Sequence, residues 1–134
     1  METNVKFYLA ARFSRKYEMQ EHIKYLVSIG HEVTSSWPYE ENASTDSFLE
    51  TATDLDVTLM ALRDIQEVDA ADALIYFGEQ PRVSTRGGRN VELGYAIGRG
   101  KLIYHVGPRE HIFHWLPDIQ YIDALEDIVN QLIF

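Results

Sequence analysis

Short apolar runs alternating with stretches whose apolar residues recur every three or four positions constrain this chain more than any other feature. "VKFYLAA", "HEVTSSW", "ALIYF", "KLIYHVG" and "IQYID" have the length and character of strands. Between the first two, Met19, Ile23, Leu26 and Val27 fall at helical spacing from Tyr17 to Ile29, and Gly30 follows as a helix-ending residue. Leu55, Leu59, Leu62 and Ile65 mark a second helix ending near "VDAAD". "RNVELGYAIGRG" reads as a third helix and "ALEDIVNQLIF" as a terminal one. Strands alternating with helices imply right-handed βαβ units and a parallel sheet covered on both faces. The unbroken apolar character of "ALIYF" and "KLIYHV" fits strands buried on both sides.

The chain of 134 residues has the length of one domain, expected to span 1–134, and 46% hydrophobic residues suffice for a core. There is no cysteine, which excludes disulfides, thiolate metal sites and a thiol nucleophile together. The N-terminal residues lack the apolar core of a signal peptide, and no run is long enough to span a membrane. The expectation is a soluble, cytoplasmic protein without a membrane partner. A net charge of −9 argues against a polymeric nucleic-acid partner, because counterion release needs a basic face. An anionic small molecule would need a local cluster of Arg and Lys.

In parallel α/β sheets, ligands bind at the carboxyl ends of the strands. That rule singles out the loops after "KFYLA", "ALIYF" and "LIYHVG". The second of these runs through "TRGGRNVELGYA", where Gly87 and Gly88 lead into a helix carrying Glu92. The glycine spacing matches neither a dinucleotide fingerprint nor a phosphate loop. Near the positive end of a helix dipole, Glu92 is expected to stay ionised, as a nucleophile at a sugar carbon would need. On its own it reads more readily as a solvated first-turn glutamate. "PYEENASTDS" has no periodicity and reads as a surface loop.

"KFYLAA", "RDIQEVDAADALIYF" with its D-x7-D spacing, and "GGRNVELGYAIGRGKLIYHVGPRE" together resemble the nucleoside 2-deoxyribosyltransferase superfamily, which includes the 2'-deoxynucleoside 5'-monophosphate N-glycosidases. Order and spacing match over most of the chain, while the region between Trp37 and Leu55 matches nothing in the pattern. The resemblance implies a flavodoxin-like (Rossmann-like) three-layer α/β sandwich with a five-stranded parallel sheet ordered 2-1-3-4-5. It also implies three catalytic residues. Glu92 would attack C1' of the deoxyribose, Asp64 would assist the departing base, and Tyr8 would position nucleophile and sugar. Water or a second base would then resolve the glycosyl-enzyme intermediate. No cofactor or metal is implied. Without the resemblance, Asp64 reads as an exposed acid and Tyr8 as a core aromatic in need of a hydrogen-bond partner.

Arg12 and Ser14 after the first strand, with Ser84, Thr85, Arg86, Gly87, Gly88 and Arg89 around the glycine pair, supply guanidinium, hydroxyl and backbone groups of the kind that hold a phosphate. Solvated loop charges are the alternative. In "REHIFHWLPDI", His111 and His114 have no evident third partner for a metal. Phe113 and Trp115 are expected at a subunit contact, lining a base pocket, since the resemblance implies a homo-oligomer with shared active sites. His22 and His31 read as surface residues. The expected substrate is a small deoxynucleoside or deoxynucleotide. Two other readings stand beside it: a non-catalytic nucleotide-binding or sensor module, and a related glycoside-cleaving enzyme such as a nucleotide phosphoribohydrolase or NAD glycohydrolase.

Overall fold

The computed structural model describes residues 4–41, 50–80 and 87–128. Strands β1 (Lys6–Ala10), β2 (Glu32–Val33), β3 (Ala73–Phe77), β4 (Leu102–Val106) and β5 (Ile119–Ile122) form one all-parallel sheet in the order β2-β1-β3-β4-β5. Helices α1 (Lys16–Ser28), α2 (Asp54–Ala70) and α3 (Gly88–Gly98) lie between strands. This is the flavodoxin-like arrangement expected from the sequence, with β3 in the middle and β1 beside it. Every residue of β3 is buried, as is β1 from Phe7 to Ala10.

Register and alternation decide what each sheet face offers. Tyr8 pairs with Leu74, Ala10 with Tyr76, Tyr76 with His105 and His105 with Tyr121. Side chains alternate along a strand, so Tyr8, Tyr76, His105 and Tyr121 share one face. The hydroxyls of Tyr8 and Tyr76 donate to Glu92 and Asn90 of α3, which fixes that face as the one α3 covers. Phe77 belongs to the opposite face, where His22 of α1 stacks on it with ring centroids 5.2 Å apart.

The helix ends follow local chemistry. Gly30, at φ 99°, turns the chain out of α1 in a conformation that glycine adopts without penalty. Thr53 caps α2 by accepting the Asp56 amide at 3.1 Å.

The expected second strand and the loop after it meet corrections. The second strand spans only two residues. Beyond it, Ser35 Oγ accepts the Leu9 amide at 3.2 Å and the Trp37 indole donates to the Leu9 carbonyl at 2.7 Å. Side chains thus satisfy the edge of β1 where a longer strand would have paired, and Pro38, the first residue of the segment read as a surface loop, is buried next to Trp37. The leucine stripe of α2 is present, but Leu55, Leu59 and Leu62 are 66%, 56% and 52% exposed. A helix of 17 residues extends ~25 Å, whereas a five-residue strand covers only ~17 Å. The helix outruns the sheet, and burial is confined to its C-terminal half. At the C-terminus, Leu125–Asp127 forms a 3-10 turn and Ile128 is buried; the rest of the expected terminal helix, 129–134, lies outside the described residues.

Gly78, just past β3, has no room for a side chain. A Cβ there would meet the Pro108 carbonyl oxygen at 2.0 Å and His105 Nε2 at 2.9 Å. Backbone of the β3 and β4 loops therefore touches directly. Gly78→Ala should lower stability to urea by about 1–3 kcal/mol, the usual cost of overpacking. Gly94→Ala, where an added Cβ meets nothing within 4 Å, should be neutral or slightly stabilising. Equal behaviour of the two variants would refute the close approach.

Candidate functional site

The carboxyl edge of the sheet gathers the residues singled out in the sequence, through β1, α2 and α3. Tyr8 is fully buried in the middle of β1, and its phenol donates to Glu92 Oε2 on the second turn of α3. Glu92 keeps some exposed surface, but its carboxyl group is enclosed. Burial pushes its pKa up to about 8, the charges of Asp64 and Glu67 push in the same direction, and the Tyr8 hydrogen bond opposes them. The Tyr8 phenol is likewise held well above its ordinary value, by burial first and then by Glu92 and Asp64, so it remains a donor.

The expected cause of Glu92's state is therefore corrected. Helix α3 begins at Gly88, which puts Glu92 beyond the first turn, where the dipole's influence fades. Desolvation dominates, and the free protein keeps this carboxyl group largely neutral at pH 7. Gly87 has a definite task at the lead-in: its φ of 84° and ψ of 4° turn the chain into the helix through a left-handed conformation.

Asp64 lies in the half of α2 that faces the sheet. Burial raises its pKa, against hydrogen bonds from Arg63 Nη2 at 3.1 Å and Nε at 3.3 Å, while the charges of Glu67 and Glu40 add to the rise. Arg63 also pairs with Glu40. Glu67, one turn further along α2, was not among the sequence candidates. It accepts the Ser36 amide at 2.9 Å and the Ser36 hydroxyl at 2.6 Å, and its charge bears on both Tyr8 and Glu92. Its i,i+3 spacing from Asp64 was the signal available, since such residues share a helix face.

The expected anion-binding group divides. Arg89 is 4% exposed and points inward, donating from Nη2 to Glu110 Oε1 at 2.6 Å and from Nη1 to Glu110 and the Tyr76 hydroxyl. Burial would raise the Glu110 carboxyl, but the hydrogen bonds from Arg89 and the Glu79 amide outweigh it and hold the pKa near 2. Both terminal nitrogens of this guanidinium are thus engaged within the protein, by Glu110 and the Tyr76 hydroxyl. Arg12 Nη1 lies 3.8 Å from Glu79 Oε1, and Arg15 Nη1 donates to Glu79 Oε2 at 2.8 Å. Ser14 is exposed in the 3-10 turn Phe13–Arg15. Gly88 opens α3 with free space beside it. Ser84, Thr85 and Arg86 lie outside the described residues.

Phe113 and Trp115 are 59% and 60% exposed on the turn Ile112–Trp115, with the Arg109 guanidinium 4.9 Å from the Trp115 ring. The histidines of this region face inward. His105 and His114 are fully buried; His105 Nε2 lies 2.8 Å from the Pro108 carbonyl, His111 Nε2 lies 2.9 Å from Asn90 Oδ1, and His114 Nδ1 accepts the Glu110 amide at 3.0 Å. Burial lowers the His114 pKa to about 4, with its histidine neighbours adding to the effect. His31 is not a plain surface residue either, since its Nδ1 accepts the Val5 amide at 3.1 Å. Among the described residues, no group of three or more His, Asp or Glu is placed to hold a metal ion, and no helix is long and apolar enough to cross a membrane.

The chemistry available is that of two carboxyl groups with raised pKa values, one of them held by a phenol. A pair of this kind can supply a nucleophile and a proton donor at a glycosidic carbon. No family model and no curated protein matches the chain. Solved structures do. A 2-deoxyribosyltransferase from Bacillus psychrosaccharolyticus superposes with a TM-score of 0.67 at 20% identity, covering 93% of this chain and 90% of its own. The CMP N-glycosidase BcmB of Clostridium botulinum superposes with a TM-score of 0.58 at 20% identity, covering 95% and 97%. At this identity the two likenesses show a shared fold.

The raised pKa of Glu92 has a measurable sign. Below about pH 4.5 the carboxyl group is protonated in folded and unfolded chains alike, and its favourable contribution is fully present. Between there and about pH 8 only the folded chain keeps the proton, so stability falls as pH rises, at up to ~1.4 kcal/mol per unit. Glu92→Gln lacks that loss. Its stability relative to wild type should increase by a few kcal/mol from pH 5 to pH 8, on the order set by linkage. Parallel stability curves across that range would contradict the buried carboxyl.

Proposed function

We propose that the chain cleaves the N-glycosidic bond of 2'-deoxynucleosides or their 5'-monophosphates through a covalent glycosyl-Glu92 intermediate. Glu92 passes the proton it holds in the free protein to the Asp64 carboxylate; a Glu92 carboxylate oxygen then bonds to C1', the C1'–N bond breaks, and its electron pair leaves with the base, which takes that proton from Asp64. Water, or a ring N–H of a second base, then attacks C1', gives its proton to the Asp64 carboxylate and releases the Glu92 carboxylate. The observation that carries this reading is the Tyr8 phenol bonded to an enclosed Glu92 carboxyl group beside the charge of Asp64, at the carboxyl end of a parallel sheet. The phenol orients the nucleophile, and burial withholds the hydration that would blunt it. The two superposed proteins act on bonds of this class by name, and that supports the same chemistry here.

Incubation with the four 2'-deoxynucleosides and their monophosphates, with and without an added free base, tests the activity and separates hydrolysis from transfer. Glu92→Gln should abolish nearly all turnover while ligand binding persists, because an amide cannot form the glycosyl ester. Asp64→Asn should slow cleavage most for bases that leave poorly without a proton, by roughly 10²-fold or more. Ligand binding without any wild-type turnover would favour the non-catalytic module.

The same proposal includes a homo-oligomer. The exposed Leu55, Leu59 and Leu62 of α2, and Ile112, Phe113 and Trp115 after β4, are the apolar surfaces that support it. Sedimentation velocity at micromolar concentration should give a dimer or larger species, and a monomer would remove shared sites from the reading.

A further inference from the structure

We infer that Glu67 is a positioning residue for this reaction: fixed by Ser36 beside the Tyr8–Glu92 pair, its charge keeps the proton that the departing base needs on the neighbouring carboxyl groups. The inference rests on the glycosidase reading and deepens it.

The geometry begins on β1. The backbone groups on either side of Tyr8 are held by the segment that follows β2. The Thr34 amide donates to the Phe7 carbonyl at 2.8 Å, Ser35 Oγ accepts the Leu9 amide at 3.2 Å, and the Trp37 indole donates to the Leu9 carbonyl at 2.7 Å. Glu67 grips the same segment from α2 at two points. Its carbonyl accepts the Thr34 hydroxyl at 2.7 Å. Its carboxylate accepts the Ser36 amide on Oε1 at 2.9 Å and the Ser36 hydroxyl on Oε2 at 2.6 Å. Asp64, three residues earlier, lies on the same helix face. One residue therefore ties the helix that carries the proton donor to the chain that flanks the phenol.

Position brings charge with it. The ionisable groups gathered at this edge are Tyr8 of β1, Glu40 after the turn Trp37–Tyr39, Arg63, Asp64 and Glu67 of α2, and Glu92 of α3. Arg63 gives its guanidinium to Asp64 and Glu40. Ser36 offers Glu67 neutral donors, which hold its carboxylate in place without cancelling its charge. A fixed negative charge beside two carboxyl groups opposes the ionisation of both, and Glu67 acts in that sense on Asp64 and on Glu92. The proton that Glu92 yields to Asp64 then stays in the site for the base. With a neutral side chain at position 67, that proton would escape to solvent at lower pH.

The test compares the full wild-type chain with two variants. Glu67→Gln keeps the shape and can still bond Ser36, whereas Glu67→Ser removes charge and clamp together. The Glu92 carboxyl group is titrated by carbon NMR in the free protein, its signal assigned by its absence in Glu92→Gln. The pH profile of kcat/KM is recorded with 2'-deoxynucleosides. The wild-type midpoint should lie at about 8. In both variants it should move down by roughly half a unit or more, the effect of one like charge nearby. The alkaline limb of kcat/KM should move down with it, because the site loses its proton sooner as pH rises. An unchanged midpoint in Glu67→Gln, or a fall in kcat/KM by the same factor at every pH, would overturn the inference and leave Glu67 a structural clamp. If the midpoint shifts as expected but no protein turns over any substrate, the glycosidase reading fails while Glu67's hold on Glu92 stands.

Discussion

A carboxyl group enclosed among other carboxyl groups is the constraint around which this edge of the molecule is arranged. Glu92 loses water and sits in the field of Asp64 and Glu67, so its charged form is disfavoured on both counts. What the fold supplies in return is local and specific: one phenol from the most buried part of β1, and a guanidinium, Arg63, placed on Asp64 rather than on Glu92. The parallel sheet makes this possible. A helix laid over this sheet face lets the Tyr8 hydroxyl meet a helix side chain while the rest of the ring stays buried.

The sheet was legible because its strands are apolar throughout and its helices carry periodic stripes. β1, β3, β4 and β5 and helices α1 to α3 lie where the patterns put them. β2 was overestimated because "HEVTSSW" looks strand-like locally, while Ser35 and Trp37 bond to Leu9 through side chains, which periodicity does not register. The leucines of α2 announced a helix correctly but not which residues the sheet is long enough to cover.

Within the site, the juxtaposition of Tyr8 with Glu92 was legible, since a buried tyrosine needs a partner and the helix after the glycines carries one. The charge state was not. A sequence shows that a glutamate follows a helix start, but its charge state depends on what two other elements, β1 and α2, bring around it. For the same reason the partners of the arginines were hidden. Arg12 and Arg89 look like unspoken-for cations in a chain of net charge −9, yet their partners Glu79 and Glu110 come from loops after other strands. Long-range pairing of this kind leaves no mark in local spacing.

The buried Arg89–Glu110 pair also restricts how sequences of this fold can drift. Either charge left alone would be stranded in a place with little water, which is far costlier than losing both together. Substitutions at these two positions should therefore travel as a pair, with apolar residues replacing both or neither. Because Arg89 lies one turn before Glu92, such a double replacement would change what anchors the start of α3 while leaving the carboxyl-bearing turn itself untouched. Two positions 21 residues apart in the chain thus behave as a single heritable unit.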